Sequence, residues 1–167
     1  MIFPAEEEES PLYFSCSVPK EIVRLFAGGG QFIFFLEAVA QCLPMWVWWP
    51  KLAGSYLSFV DNVAAQWALS KGYSKNSEAN LLVSLFWAAV TEKGSDPWFE
   101  RVPSKANISD AISRGDDSEA AKRGWVKWDV DLTKTWQVLM NAHAGGYQKV
   151  PSMASELCLS AKLQRCP

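Results

Sequence analysis

Three acids in this sequence are attached to apolar structure: Glu37 in "FIFFLEAVAQCLPMWVWWP" (32–50), Asp61 directly after "YLSFV", and Asp110 in "ANISDAISRGD". Carboxylates gathered in one place repel one another unless a cation lies among them. An all-oxygen donor set selects a hard ion, Mg²⁺ or Mn²⁺, over zinc. Two such ions stabilise both the attacking and the leaving oxygen of a phosphodiester cleavage. Each acid also has a plainer role. Asp110 at a helix start complements the backbone dipole. Asp61 followed by Asn62 suits a turn, and Glu37 can pair with a lysine.

Convergence of the three depends on the elements that carry them. The apolar run predicts a helix over 31–43, with a kink or an end at Pro44, which lacks the N–H for a bond to Ala40. "SYLSFVDN" predicts a strand over 55–61, placing Asp61 at its C-terminal end, where open α/β sheets bind ligands. "PWFERVPS" predicts a strand ending at Pro103, and Asn107 or Ser109 opens the helix that holds Asp110. If strands 55–61 and 97–102 are neighbours, all three acids reach one end of a sheet.

Between these lie stronger local signals. "NVAAQWALSKG" predicts a helix closed by Gly72. "SEANLLVSLFWAAVTEKG" repeats apolar residues at 81, 82, 85, 86, 89 and 90, a helical period, with Ser77 as candidate N-cap and Gly94 as stop. Upstream, "PLYFSCSV" (11–18) reads as a strand and "PKEIVRLFAGGG" as a short helix stopped by Gly28–Gly30. That glycine triplet lacks the Lys-Ser/Thr of a phosphate loop and is read as a turn. Beyond 115 one helix is expected, about 131–142. The alternation of strands and helices argues for an α/β layer fold. The expected organisation is an acidic disordered N-terminus over 1–10, the α/β domain over 11–115, a helical extension over 116–143 and a loosely ordered tail over 144–167.

Composition sets limits on function. The 167 residues suffice for one domain with a core. A formal net charge of −2 gives no global attraction to nucleic acid, so any such binding needs a local basic patch. Cys16, Cys42, Cys158 and Cys166 form no C-x-x-C, and with the single His143 they make no metal-ligand spacing. The start has no basic segment leading into an apolar stretch, so an intracellular setting is expected. A membrane span over 32–50 is disfavoured by Glu37, Gln41 and Pro44, because an acid near the centre of a span costs about 2.5–3.5 kcal/mol.

The spaced motifs "FFLEAVA", "FVDNVAAQWALSKGYS" and "WFERVPSKANISDAISRG" together resemble the ribonuclease H-like domain in polyproteins of retrotransposons and related reverse-transcribing elements. The resemblance covers about residues 11 to 115. It implies a mixed five-stranded sheet flanked by helices, acting on the RNA strand of an RNA–DNA hybrid. Glu37, Asp61 and Asp110 match three of the family's four metal-binding acids. Asn62 and Ser104 would lie near the site. Lys71, Lys75, Lys105 and Arg114 would be candidate phosphate contacts, with Trp67, Tyr73 and Trp98 as candidate stacking groups. The implied cofactor is Mg²⁺ or Mn²⁺, and the implied partner is a reverse transcriptase module in a longer polyprotein.

One departure accompanies the match. The family's first strand, with its first catalytic aspartate, has no counterpart before "PLYFS", where only "MIFPAEEEES" stands. The expected domain therefore lacks its first two strands, and strand 55–61 keeps an unpaired edge. The alternative to an active nuclease is a catalytically inactive remnant that binds nucleic acid or another partner.

Overall fold

Two parallel strands carry the candidate chemistry. β3 (Gly54–Val60) and β4 (Ser95–Arg101) pair along their whole length, in register from Gly54 with Ser95 to Val60 with Arg101. The chain between them forms α3 (Val63–Lys71) and α4 (Ser77–Lys93), the helical crossover that parallel strands require. The computed structural model describes residues 2–3, 10–26, 32–48, 51–145 and 162–165.

Local capping explains the crossover. Asn62 caps α3 by accepting from Ala65 N at 3.0 Å, and Gly72 closes it at φ +66°, a left-handed conformation suited to glycine. α4 is capped by Asn76, which accepts from Ala79 N at 2.8 Å, and not by Ser77, whose hydroxyl donates to Glu78 instead. Only an extended residue can turn its side chain back to the first free N–H groups, and Asn76 has that conformation. The expected apolar period of α4 is buried throughout: Leu81, Leu82, Leu85, Phe86, Ala89 and Val90 all face the core.

Preceding β3 are α1 (Lys20–Phe26) and α2 (Phe32–Val47). α2 runs past the expected end at 43 and contains Pro44 in its interior. Burial holds it together: Gln41 through Trp48 are all buried, and Trp46 is 0% exposed. Pro44 deprives the Ala40 carbonyl of its helical donor, and Ala40 is exposed, so water can serve that carbonyl. Beyond the proline the backbone resumes, with Trp48 N donating to Pro44 O at 2.7 Å. Phe26 stacks on Phe35 at 4.6 Å between centroids, fixing α1 on α2, and such ring pairs contribute about 0.5–1.5 kcal/mol beyond their buried area.

The other strands form a separate four-stranded sheet in the order β1 (Ile2–Phe3), β2 (Leu12–Tyr13), β5 (Val126–Asp131), β6 (Lys162–Arg165). This corrects several expectations. The strand expected over 11–18 is only Leu12–Tyr13, where its pairing with β1 and β5 ends. Ile2–Phe3 lie in a strand although 1–10 is read as disordered; residues 4–9 lie outside those described, as do Gly28–Gly30. The region 116–143 is not purely helical: after the short α5 (Asp110–Ser113), α6 (Ser118–Lys122) precedes β5 within it and α7 (Thr133–Gly145) follows. Most of 144–167 lies outside the described residues. The described strands therefore form two sheets where one mixed sheet is expected. The class is α/β, with seven α-helices among the described residues.

Both sheets meet one core. Leu12 and Phe14 join residues of α1, α2, α3, α4 and α7 in it, with Val126, Trp128 and Val130 of β5 packed against its edge. Phe14 meets Trp48 edge-on at 5.0 Å. Among the described residues no helix is long and apolar enough to cross a membrane.

Candidate functional site

Asp61 follows β3 directly, so its position is set by the β3–β4 ladder, which continues one bond further through Val102 N to Val60 O at 3.1 Å. α2 passes beside the same end of the strand. Gln41, 8% exposed, donates from Nε2 to Phe59 O at 3.2 Å and accepts from Ser58 Oγ at 2.6 Å. Glu37 lies one helical turn before Gln41, on the same side of α2. These two bonds thus hold the helix at the height that brings Glu37 to Asp61.

The half-buried Glu37 carboxyl is pushed up to about 7. Burial is the largest cause; the charge of Asp61, a side-chain hydrogen bond with Asp61 and the charge of Asp110 follow. Burial and acidic neighbours both disfavour the charged form, so Glu37 holds its proton more readily than an ordinary glutamate. Glu37 therefore lies near enough to Asp61 and Asp110 for both charges to be felt.

The remaining partners orient these acids. Asn107 Nδ2 donates to Asp61 Oδ2 at 3.0 Å, while Asn107 Oδ1 accepts from Ser109 N at 3.1 Å and from Ser109 Oγ at 2.7 Å. Asn107 thereby ties the segment entering α5 to the end of β3. Asp110 opens α5 and faces Arg114, whose Nη2 lies 3.1 Å from either carboxylate oxygen. That pair is exposed, so its contribution is about 0.2–1 kcal/mol and screened by salt.

Other candidates are placed less convergently. Asn62 has its side-chain oxygen committed to the α3 cap. Lys71 is exposed, its ammonium 4.5 Å from the centroid of the Trp67 ring. Lys75 is exposed beyond α3, and Ser104 and Lys105 are exposed in a short 3-10 turn after β4. Trp67, Tyr73 and Trp98 are all exposed. Asn107 and Gln41 have no local sequence signal as site residues; their roles arise from contacts to β3 made across the fold.

Among the described residues no group of three or more His, Cys, Asp and Glu side chains is arranged to hold a metal ion. The Glu37–Asp61 pair is nevertheless chemically suited to a hard cation: it offers only oxygen, it is half-buried, and its mutual repulsion is relieved by a proton or a cation alike. Asp110 would complete the set by releasing Arg114. Comparison of the chain with protein-family models, with curated proteins and with solved structures gives no match.

Proposed function

We propose that this chain derives from a ribonuclease H-like nuclease of a retroelement polyprotein, with Glu37, Asp61 and Asp110 as carboxylates for Mg²⁺ or Mn²⁺. The substrate class is the RNA strand of an RNA–DNA hybrid. The observation that supports this reading most is the seating of α2 against the end of β3 through Gln41, which places Glu37 where the charges of Asp61 and Asp110 both reach it. Bound ions would supply positive charge to the attacking and leaving oxygens of a phosphodiester. In that scheme Glu37 is the ligand with a proton to lose, and Asn107 orients Asp61. Lys71, Lys75, Lys105 and Arg114 would meet phosphates, which position a duplex without reading its sequence.

A second reading, a non-catalytic nucleic-acid-binding or interaction module, is favoured by the engagement of Asp110 with Arg114. Melting the full chain at pH 8 while titrating Mg²⁺ tests the metal site. The expected result is a rise equivalent to about 2.7 kcal/mol at a hundredfold excess over Kd, absent in Asp61→Asn. No rise in the parent chain overturns the metal site. Incubation with a hybrid then separates the readings: RNA cleavage lost in Asp61→Asn supports the nuclease, and retention of the hybrid without cleavage supports the binding module.

A further inference from the structure

The two faces of the β3–β4 ribbon differ sharply. Tyr56, Ser58, Val60, Pro97 and Phe99 point inward and are buried or half-buried. The outward positions are Ser55, Leu57 and Phe59 on β3, with Asp96, Trp98 and Glu100 on β4. Leu57, Phe59 and Trp98 are 53%, 57% and 68% exposed, and Leu57 is in register with Trp98. Parallel strands in α/β proteins are normally covered on both faces. Large side chains gathered in an exposed patch mark an interaction site.

Charge identifies the occupant. Asp96 and Glu100 flank Trp98 on β4, about 13 Å apart by strand geometry; none of these six outward positions carries a basic residue, the exposed Arg101 lying at the strand's last, alternate position. Asp96 accepts from Ser55 Oγ at 3.1 Å and Glu100 from Arg101 N at 3.0 Å; neither forms an ion pair among the described residues. Such a rim repels phosphate backbones and anionic membranes. A second copy laid face to face would bring only further carboxylates. Layer packing places a helix on an uncovered sheet face.

We propose that this face docks an amphipathic helix of a partner protein, its apolar stripe on Leu57, Phe59 and Trp98 and its basic residues beside Asp96 and Glu100. Lysines at i and i+8 lie about 12 Å apart along a helix and match the two carboxylates. The surface shares no side chain with the acid cluster at Glu37 and Asp61, meeting it only through the Phe59 carbonyl that accepts from Gln41.

The test is calorimetric titration of the full chain, at low salt, with a synthetic helical peptide of about 18 residues. It carries a leucine stripe and lysines at i and i+8; its twin carries glutamates there. The lysine peptide is expected to bind about tenfold tighter than the twin, with the preference lost in Asp96→Asn/Glu100→Gln. Leu57→Ser/Trp98→Ser, both exposed positions, should weaken binding by at least about tenfold, with unchanged circular dichroism showing that the variant folds. No binding, equal binding of both peptides, or binding that survives Leu57→Ser/Trp98→Ser overturns the proposal. Self-association abolished by Leu57→Ser also overturns it, in favour of a second copy; so does an RNA oligonucleotide that displaces the peptide.

Discussion

Asn107 Nδ2 donates to Asp61 Oδ2 at 3.0 Å, joining the segment that enters α5 to the end of β3. The same side chain accepts twice from Ser109, so one residue fixes both the acid and the approach to Asp110. Asn107→Ala removes all three bonds. It is expected to destabilise the fold by about 1–3 kcal/mol, read by urea denaturation. A loss below about 0.5 kcal/mol would show that water replaces Asn107 and that it does not order the site.

Glu37 makes stability depend on pH in a specific direction. Its folded value of about 7 lies above the ordinary 4.5, so between these values the folded state binds more protons than the unfolded. The stabilising contribution is full below about 4.5 and is lost as pH rises through about 7. Because the group is only half-buried, solvent screening reduces the effect to about 1–2 kcal/mol. Glu37→Gln should remove that dependence and be more stable than the parent at pH 8. Parallel pH–stability curves for the two proteins would contradict this.

Gln41 and Ser58 act as a unit that seats α2 on β3. Ser58→Ala leaves Gln41 Oε1 without that donor in a buried setting, and Gln41→Ala leaves Phe59 O without its side-chain donor. Each is expected to cost about 1–3 kcal/mol. The double variant should cost less than their sum by at least about 0.5 kcal/mol. Additive losses in chemical denaturation would show that the two bonds are independent.

The start of α4 gives a local control. Asn76→Ala should cost about 1 kcal/mol through loss of the cap to Ala79 N. Ser77→Ala, at an exposed position outside the cap, should stay within about 0.5 kcal/mol. The reverse order in thermal melts would move the cap to Ser77.

Short-range chemistry by itself determined much of the middle of the chain. Asn62 and Gly72 bound α3, Gly94 ends α4, and the apolar period of α4 marks its buried face, because caps and periodicity act within a turn or two of helix. The strands around Tyr56 and Trp98 were legible for the same reason: β-forming side chains bounded by turn residues. The alternation Val126, Trp128, Val130 in "VKWDVD" is a strand signal for β5 that the expected helical extension over 116–143 passes over.

Only the tertiary structure decided the rest. α2 continues through Pro44 because burial from Gln41 to Trp48 outweighs one missing backbone bond. The division into two sheets is fixed by which strands come to lie side by side, a long-range outcome that no local pattern encodes. Likewise the sequence marks Glu37 and Asp61 only as acids on apolar elements. Their proximity arises because Gln41 and Ser58 set the height of a helix against a strand, and Asn107 holds the acid at the end of that strand.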